Sequence, residues 1–232
     1  MPRLPRTIAL GPLRLPAVVA GLILATVAVS VLGAVAARSG APALRMAGVL
    51  APAEVWRGQV WRLFTWVLIE LDPVSLIFGC LTLYWLGRDL VTTWGTRRFV
   101  VWYFGLAAAA GTVVALVTLF WSTVSIVSVA GSWPVLVGLI VAWGMLHPDR
   151  EIRLYGVVKL SGRWIVRLTL GGTVLFALFY GAAPFVTHFA AELLVLVRFG
   201  PVRRIVATRR KQRQAAAQSW TFDKWMERER HK

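Results

Sequence analysis

The sequence predicts an all-α integral membrane protein: a six-transmembrane-helix bundle with an interfacial segment between helices 1 and 2. Three observations carry this. Of 232 residues, 58% are hydrophobic, and the mean hydropathy is +0.68. Apolar runs of membrane-spanning length recur along the chain. The charges gather between those runs, and basic residues alternate from side to side.

The first span is read over Leu15 to Ala37, bracketed by Arg14 and Arg38. A cleaved signal peptide is the rival, with AVA at 34–36 as the cleavage site, but the apolar run exceeds a usual signal core. Residues 38–72 carry Trp56, Trp61 and Trp66 among Arg57, Arg62, Glu54, Glu70 and Asp72. That mixture is too charged to span and suits the headgroup region. The second span runs from Pro73 to Val91, closed by Gly87, Arg88 and Asp89. The third runs from Phe99 to Phe120, and the fourth from near Ser125 to Met145 or Leu146. The fifth covers Trp164 to Ala182 and the sixth Pro184 to Val197. A sixth helix of about 14 residues is only about 21 Å long, short of a hydrocarbon core of roughly 30 Å. The sequence therefore divides into a cytoplasmic N-terminus (1–14), a membrane domain (15–200) and a basic cytoplasmic tail (201–232).

The net charge is +16. Nucleic-acid binding is not the reading, because no zinc, helix-turn-helix or RNA-binding signature accompanies the charge. Basic residues instead fill the connections between spans two and three and between four and five, and eleven lie from Arg198 onward. The connections between three and four and between five and six carry none, which places both termini in the cytoplasm. The tail lies on anionic lipid or docks a soluble partner. The 22 Arg against 4 Lys, in an Ala/Val/Gly-rich chain, suggest a GC-rich bacterial genome and so a bacterial plasma membrane. Cys80 stands alone, so no intramolecular disulfide or thiol redox pair forms. No cofactor and no metal is expected.

The Trp61-Arg62 pair, Gly87 and Gly95 eight apart, Arg98 and Tyr103, a glycine-serine turn at 131–132 and a lone His188 come in order along the chain. Together with WRLFTWVLIE and LYWLGRDLVTTWGTRRFVVWYF they resemble the rhomboid superfamily over roughly residues 55–200. The resemblance implies a six-span rhomboid-like bundle. In its proteases a Ser on span four and a His on span six work as nucleophile and base, and a His and an Asn on span two help stabilise the oxyanion.

Position by position, the family's His and Asn on span two fall on Ser75 and Gly79, so both oxyanion donors are missing. Gly87 and Gly95 keep the family's glycines, while its Glu falls on Val91. The Gly-x-Ser-Gly motif falls on Gly131, Ser132, Trp133 and Pro134, which puts Trp133 at the nucleophile position. Sliding by one makes Ser132 the nucleophile but leaves an indole where the motif has glycine, crowding the place of a scissile carbonyl. His188 and Ala191 match the span-six pattern, and Val195 replaces a glycine, which weakens close helix approach there. The chain is closest in character to inactive members such as the Derlins. These bind or shepherd transmembrane client proteins. The rival is an active intramembrane serine protease using Ser132 and His188.

Glu192 lies four residues after His188, on the same helical face. An ionisable pair inside a span marks a polar intramembrane patch, for a client helix or for mutual satisfaction. Two ligands without a third make no metal site. Ser132 also reads as a helix N-cap ahead of Pro134, and His147 as a C-terminal cap. A transporter is disfavoured because no internal repeat or paired broken helices appear.

Overall fold

The computed structural model describes residues 7–10, 13–121, 128–154 and 158–200. The fold is mainly helical, with two short antiparallel hairpins at its margins. One pairs β1 (Thr7–Leu10) with β2 (Leu13–Pro16). The other pairs β3 (Glu151–Leu154) with β4 (Val158–Ser161). The all-α expectation is thus amended at two loops and kept for the body. The tail at 201–232 and the start of the fourth span near Ser125 lie outside the described residues.

α1 (Ala17–Arg38) leaves β2 after Pro16 and ends on its first charge, Arg38. Its buried residues Val19, Leu22, Thr26, Ser30 and Gly33 recur at three- and four-residue spacing, which makes one stripe. The opposite face is bare: Leu24 and Leu32 are each more than 60% exposed (68% and 64%). Exposed leucine in such numbers fits a lipid solvent.

The segment after α1 is broken into α2 (Pro42–Met46), α3 (Pro52–Trp56), α4 (Arg62–Thr65) and one 3-10 turn, Trp66–Leu68. Pro42 and Pro52 start two of these pieces, where a missing N–H costs nothing. Arg62 explains how so charged a segment packs. Its buried guanidinium donates to the carbonyls of Met46 (2.5 Å) and Val49 (2.6 Å) and to Gln59 Oε1 (2.7 Å). Trp61 Nε1 donates to the Ala47 carbonyl and Trp56 Nε1 to the Ala115 carbonyl, each at 3.2 Å. The Trp61-Arg62 pair therefore ties the loop's own backbone together.

α5 (Pro73–Trp94) begins at Asp72, whose carboxylate accepts the Ser75 N–H at 2.8 Å. It continues past Val91, three residues beyond the expected end. Asp89 is neutralised rather than stranded: Arg150 donates to both its oxygens and the Trp143 indole N–H donates to Oδ2. Gly95 then turns the chain at φ +82° into α6 (Thr96–Val117), a conformation that favours glycine. Gly87 lets α1 approach α5: a Cβ there would stand 3.1 Å from Val19.

α7 (Trp133–Leu146) is the centre of the bundle, with Val135, Leu136, Leu139, Val141 and Ala142 fully covered. It has 14 residues, so the fourth helix is as short as the sixth. Its extended lead-in is held inside the protein. Val129 bridges Leu50 through two backbone hydrogen bonds of 2.9 Å, and the Gly131 N–H reaches the Trp66 carbonyl at 3.0 Å. Non-helical backbone in a membrane domain is tolerated only where protein supplies such partners.

α8 (Gly162–Tyr180) is peripheral and buries only Gly162 and Thr173. α9 (Val186–Phe199) packs on α7 and α6. The close approach that Val195 put in doubt occurs, supplied from the other side: a Cβ on Gly138 of α7 would stand 3.2 Å from the Ala191 Cβ. Among the described residues four helices, α1, α5, α6 and α8, are long and apolar enough to cross a membrane, against the six expected. α7 and α9 fall below that length at 14 residues each.

Candidate functional site

The site begins with the loop that precedes α5. After the 3-10 turn the chain extends at Ile69, and Glu70 is carried under the bundle at 7% exposure. Its N–H donates to the Ser30 hydroxyl of α1 at 2.9 Å, and that hydroxyl reaches the Leu68 carbonyl at 3.4 Å. The Glu70 carboxylate then meets the start of α7. The backbone N–H and the hydroxyl of Ser132 both donate to Oε1, each at 2.7 Å.

Two glycines make room for this carboxylate. Gly131 sits at φ +108°, and a Cβ there would lie 2.8 Å from Glu70 Oε2. A Cβ on Gly79 would lie 2.9 Å from Ser132 Oγ and 3.3 Å from Glu70 Oε1. The span-two position where the resemblance places an Asn therefore does face the serine hydroxyl. A carboxylate fills the space that an amide would occupy.

Ser132 stands at the N-cap position of α7, but its side chain makes no capping bond; it is turned to Glu70. The sequence pattern identified the position and missed the partner. Trp133 does not crowd the serine as expected. It is 47% exposed and points out of the bundle, because the residue after a buried N-cap lies on a different helical face. Pro134 beside it is buried in the first turn.

His188 and Ser132 lie near the N-terminal ends of adjacent helices α9 and α7 but are not joined by a hydrogen bond. His188 packs against Phe185 with ring centroids 5.1 Å apart, and its Nδ1 has no hydrogen-bond partner among the described residues. The expected His188–Glu192 pair is also replaced: Glu192, 3% exposed, accepts from the Thr173 hydroxyl of α8 at 2.6 Å. A donor one helix away wins over the same-face histidine. Ser75 donates its N–H to the Asp72 carboxylate that caps α5, and Val91 is buried apolar core. Among the described residues no group of three acidic, histidine or cysteine side chains is placed to hold a metal.

The arrangement has a chemical consequence. Acyl transfer at Ser132 would build a negative oxygen beside the hydroxyl, and donors must point at it. Here the neighbour is an acceptor that already takes both donors of the residue, including the backbone N–H. Sequence reasoning assigned Glu70 to the membrane surface. The available signal was an acid set in the apolar run WVLIEL.

Residues 19–200 match the model of a family described as "Eukaryotic integral membrane protein (DUF1751)". The chain belongs to the eukaryotic integral membrane protein family. This family is of the rhomboid-like kind, so the coarse resemblance read from the motifs holds, and its seat is a membrane. The expectation of a bacterial plasma membrane is corrected by the same match, since the family is a eukaryotic one. The Arg-over-Lys bias that suggested otherwise is a compositional association and carries no physical information about a compartment. No individual curated protein matches the chain.

Proposed function

We propose that this member of the eukaryotic integral membrane protein family is a catalytically inactive rhomboid-like protein that binds or shepherds transmembrane clients. In this reading α7 and α9 complete six spans, and the short ones lower the cost of moving a polar client segment past the bundle. One observation carries it: the Glu70 carboxylate occupies the ground beside Ser132 where oxyanion donors are required. An acceptor there, already taking the N–H and hydroxyl of Ser132, leaves no donor aimed at the oxygen that develops in the transition state. That His188 makes no hydrogen bond to the serine supports the same reading.

A fluorophosphonate probe tests this on the purified full chain in detergent. The expected result is no labelling that depends on Ser132. Labelling that is lost in Ser132→Ala and kept in Ser75→Ala would establish the rival, a serine protease. Clients are sought by crosslinking from exposed positions of α9 such as Leu193 and Val197, and a client reading predicts adducts with transmembrane segments.

A further inference from the structure

A second polar assembly lies at the other end of α5, away from the serine, and no part of the proposed client function uses it. Its floor is the Trp143 ring, almost wholly buried, with Asp89 hydrogen-bonded to the indole N–H. Trp85 leans on that ring with centroids 5.6 Å apart, and the Arg150 guanidinium lies over it at 5.8 Å. Arg88 and Glu151 complete an open pocket of about 520 Å³. Arg150 is already paired with Asp89 at 2.7 Å. Arg88 is exposed and makes no ion pair among the described residues. The lining therefore holds two guanidiniums and two carboxylates, and among the described residues Arg88 and Glu151 have no ion-pair partner.

The surface below the pocket says what kind of molecule enters. Ile77, Leu81 and Trp85 are 64%, 58% and 44% exposed. With Arg88 they are spaced four, four and three residues apart, so they form one continuous stripe along α5. From Ile77 to Arg88 the stripe rises about 16 Å, at about 1.5 Å per residue. That is close to one leaflet of a hydrocarbon core roughly 30 Å thick. An apolar track that ends in an indole and then a guanidinium is the order in which a membrane lipid presents chain, interface and phosphate.

We propose that this pocket is a specific site for a zwitterionic phospholipid with a primary ammonium headgroup, its phosphate on Arg88 and its acyl chain along Ile77 and Leu81. Glu151 takes the ammonium, and the Trp85–Trp143 pair provides an aromatic wall beside it. Arg88 reaches the phosphate oxygens through a charge-assisted contact. The bound lipid bridges α5 to the β3–β4 hairpin, which Arg150 and Asp89 already link. A free phosphate shares the anion chemistry but has nothing to lay on the apolar stripe.

Native mass spectrometry of the full chain released from detergent micelles distinguishes these sources. The chain is titrated separately with phosphatidylethanolamine, phosphatidylglycerol and inorganic phosphate. One phosphatidylethanolamine is expected to be retained in preference to phosphatidylglycerol, with inorganic phosphate failing to displace it. Arg88→Gln should weaken retention about tenfold, the worth of about 1.4 kcal/mol. Glu151→Gln should abolish the preference for the ammonium lipid while leaving phosphatidylglycerol retention unchanged. Both residues are exposed, so unchanged thermal midpoints verify that the variants fold. Equal retention by the wild type and Arg88→Gln would reduce the site to the ordinary lipid shell. Displacement by inorganic phosphate would make it an ion site, and either result overturns the proposal.

Discussion

Among the described residues two carboxylates are buried, Glu70 and Glu192, and they differ in what they hold. Glu70 sits on irregular backbone and joins two other segments to it: Ser30 of α1 through its N–H, and the backbone and side chain of Ser132 through its carboxylate. Glu192 sits on a regular helix and receives a single hydroxyl, from Thr173 of the peripheral α8. The first carboxylate satisfies backbone that no helix satisfies; the second ties together two helices whose backbones are already complete. Burial alone therefore does not rank such groups. What matters is whether removing one leaves a buried donor without a partner.

The largest effect that sharpens this contrast is expected at Glu70. Glu70→Ala should lower stability by about 2–3 kcal/mol, since the buried N–H and hydroxyl of Ser132 are both orphaned. The thermal midpoint in detergent reads it, and a midpoint equal to that of Glu192→Ala would break the comparison. Next comes Gly131→Ala, which places a methyl against Glu70 Oε2 at a positive φ. It should cost about 1–3 kcal/mol in the same measurement. Thr173→Val removes the hydroxyl that donates to Glu192 and should cost about 1 kcal/mol. Its effect should be confined to α8, read as faster proteolysis or hydrogen exchange there, with α7 unchanged.

The smallest effect concerns Asp72. Hydrogen bonds from the Ser75 side chain and N–H hold its carboxyl below the usual value of 3.8. A lowered folded value means that the contribution is present above the unfolded value and fades as the pH falls through the folded one. Acid titration of the midpoint should therefore show a slight loss below about pH 4 that Asp72→Asn removes. Exposure keeps it small.

Much of the fold was legible in the sequence because apolar runs, charge placement and proline positions are local. The bounds of α1 and α8, the start of α5 at Pro73 and the capping position of Ser132 follow from neighbours in sequence. The family match over 19–200 agrees with the motif reading at the level of kind. The site was legible only as a position. Ser132 was identified, but its partner is 62 residues away in a loop that composition assigned to the membrane surface. Trp133 was expected to fill the site, yet one helical step turns it to the outside. Glu192 and His188 read as one polar patch on a helical face, and the partner of Glu192, Thr173 of α8, was not legible there.

By itself the sequence determined that the chain lives in a membrane, where most of its helices start, and which positions differ from the rhomboid protease pattern that it resembles. These follow from transfer energies and backbone preferences that act over a few residues. Only the tertiary structure decided that a carboxylate, and not an indole, stands beside the serine. A hydrogen bond between distant segments depends on how helices and loops are brought together, and no local pattern encodes that distance.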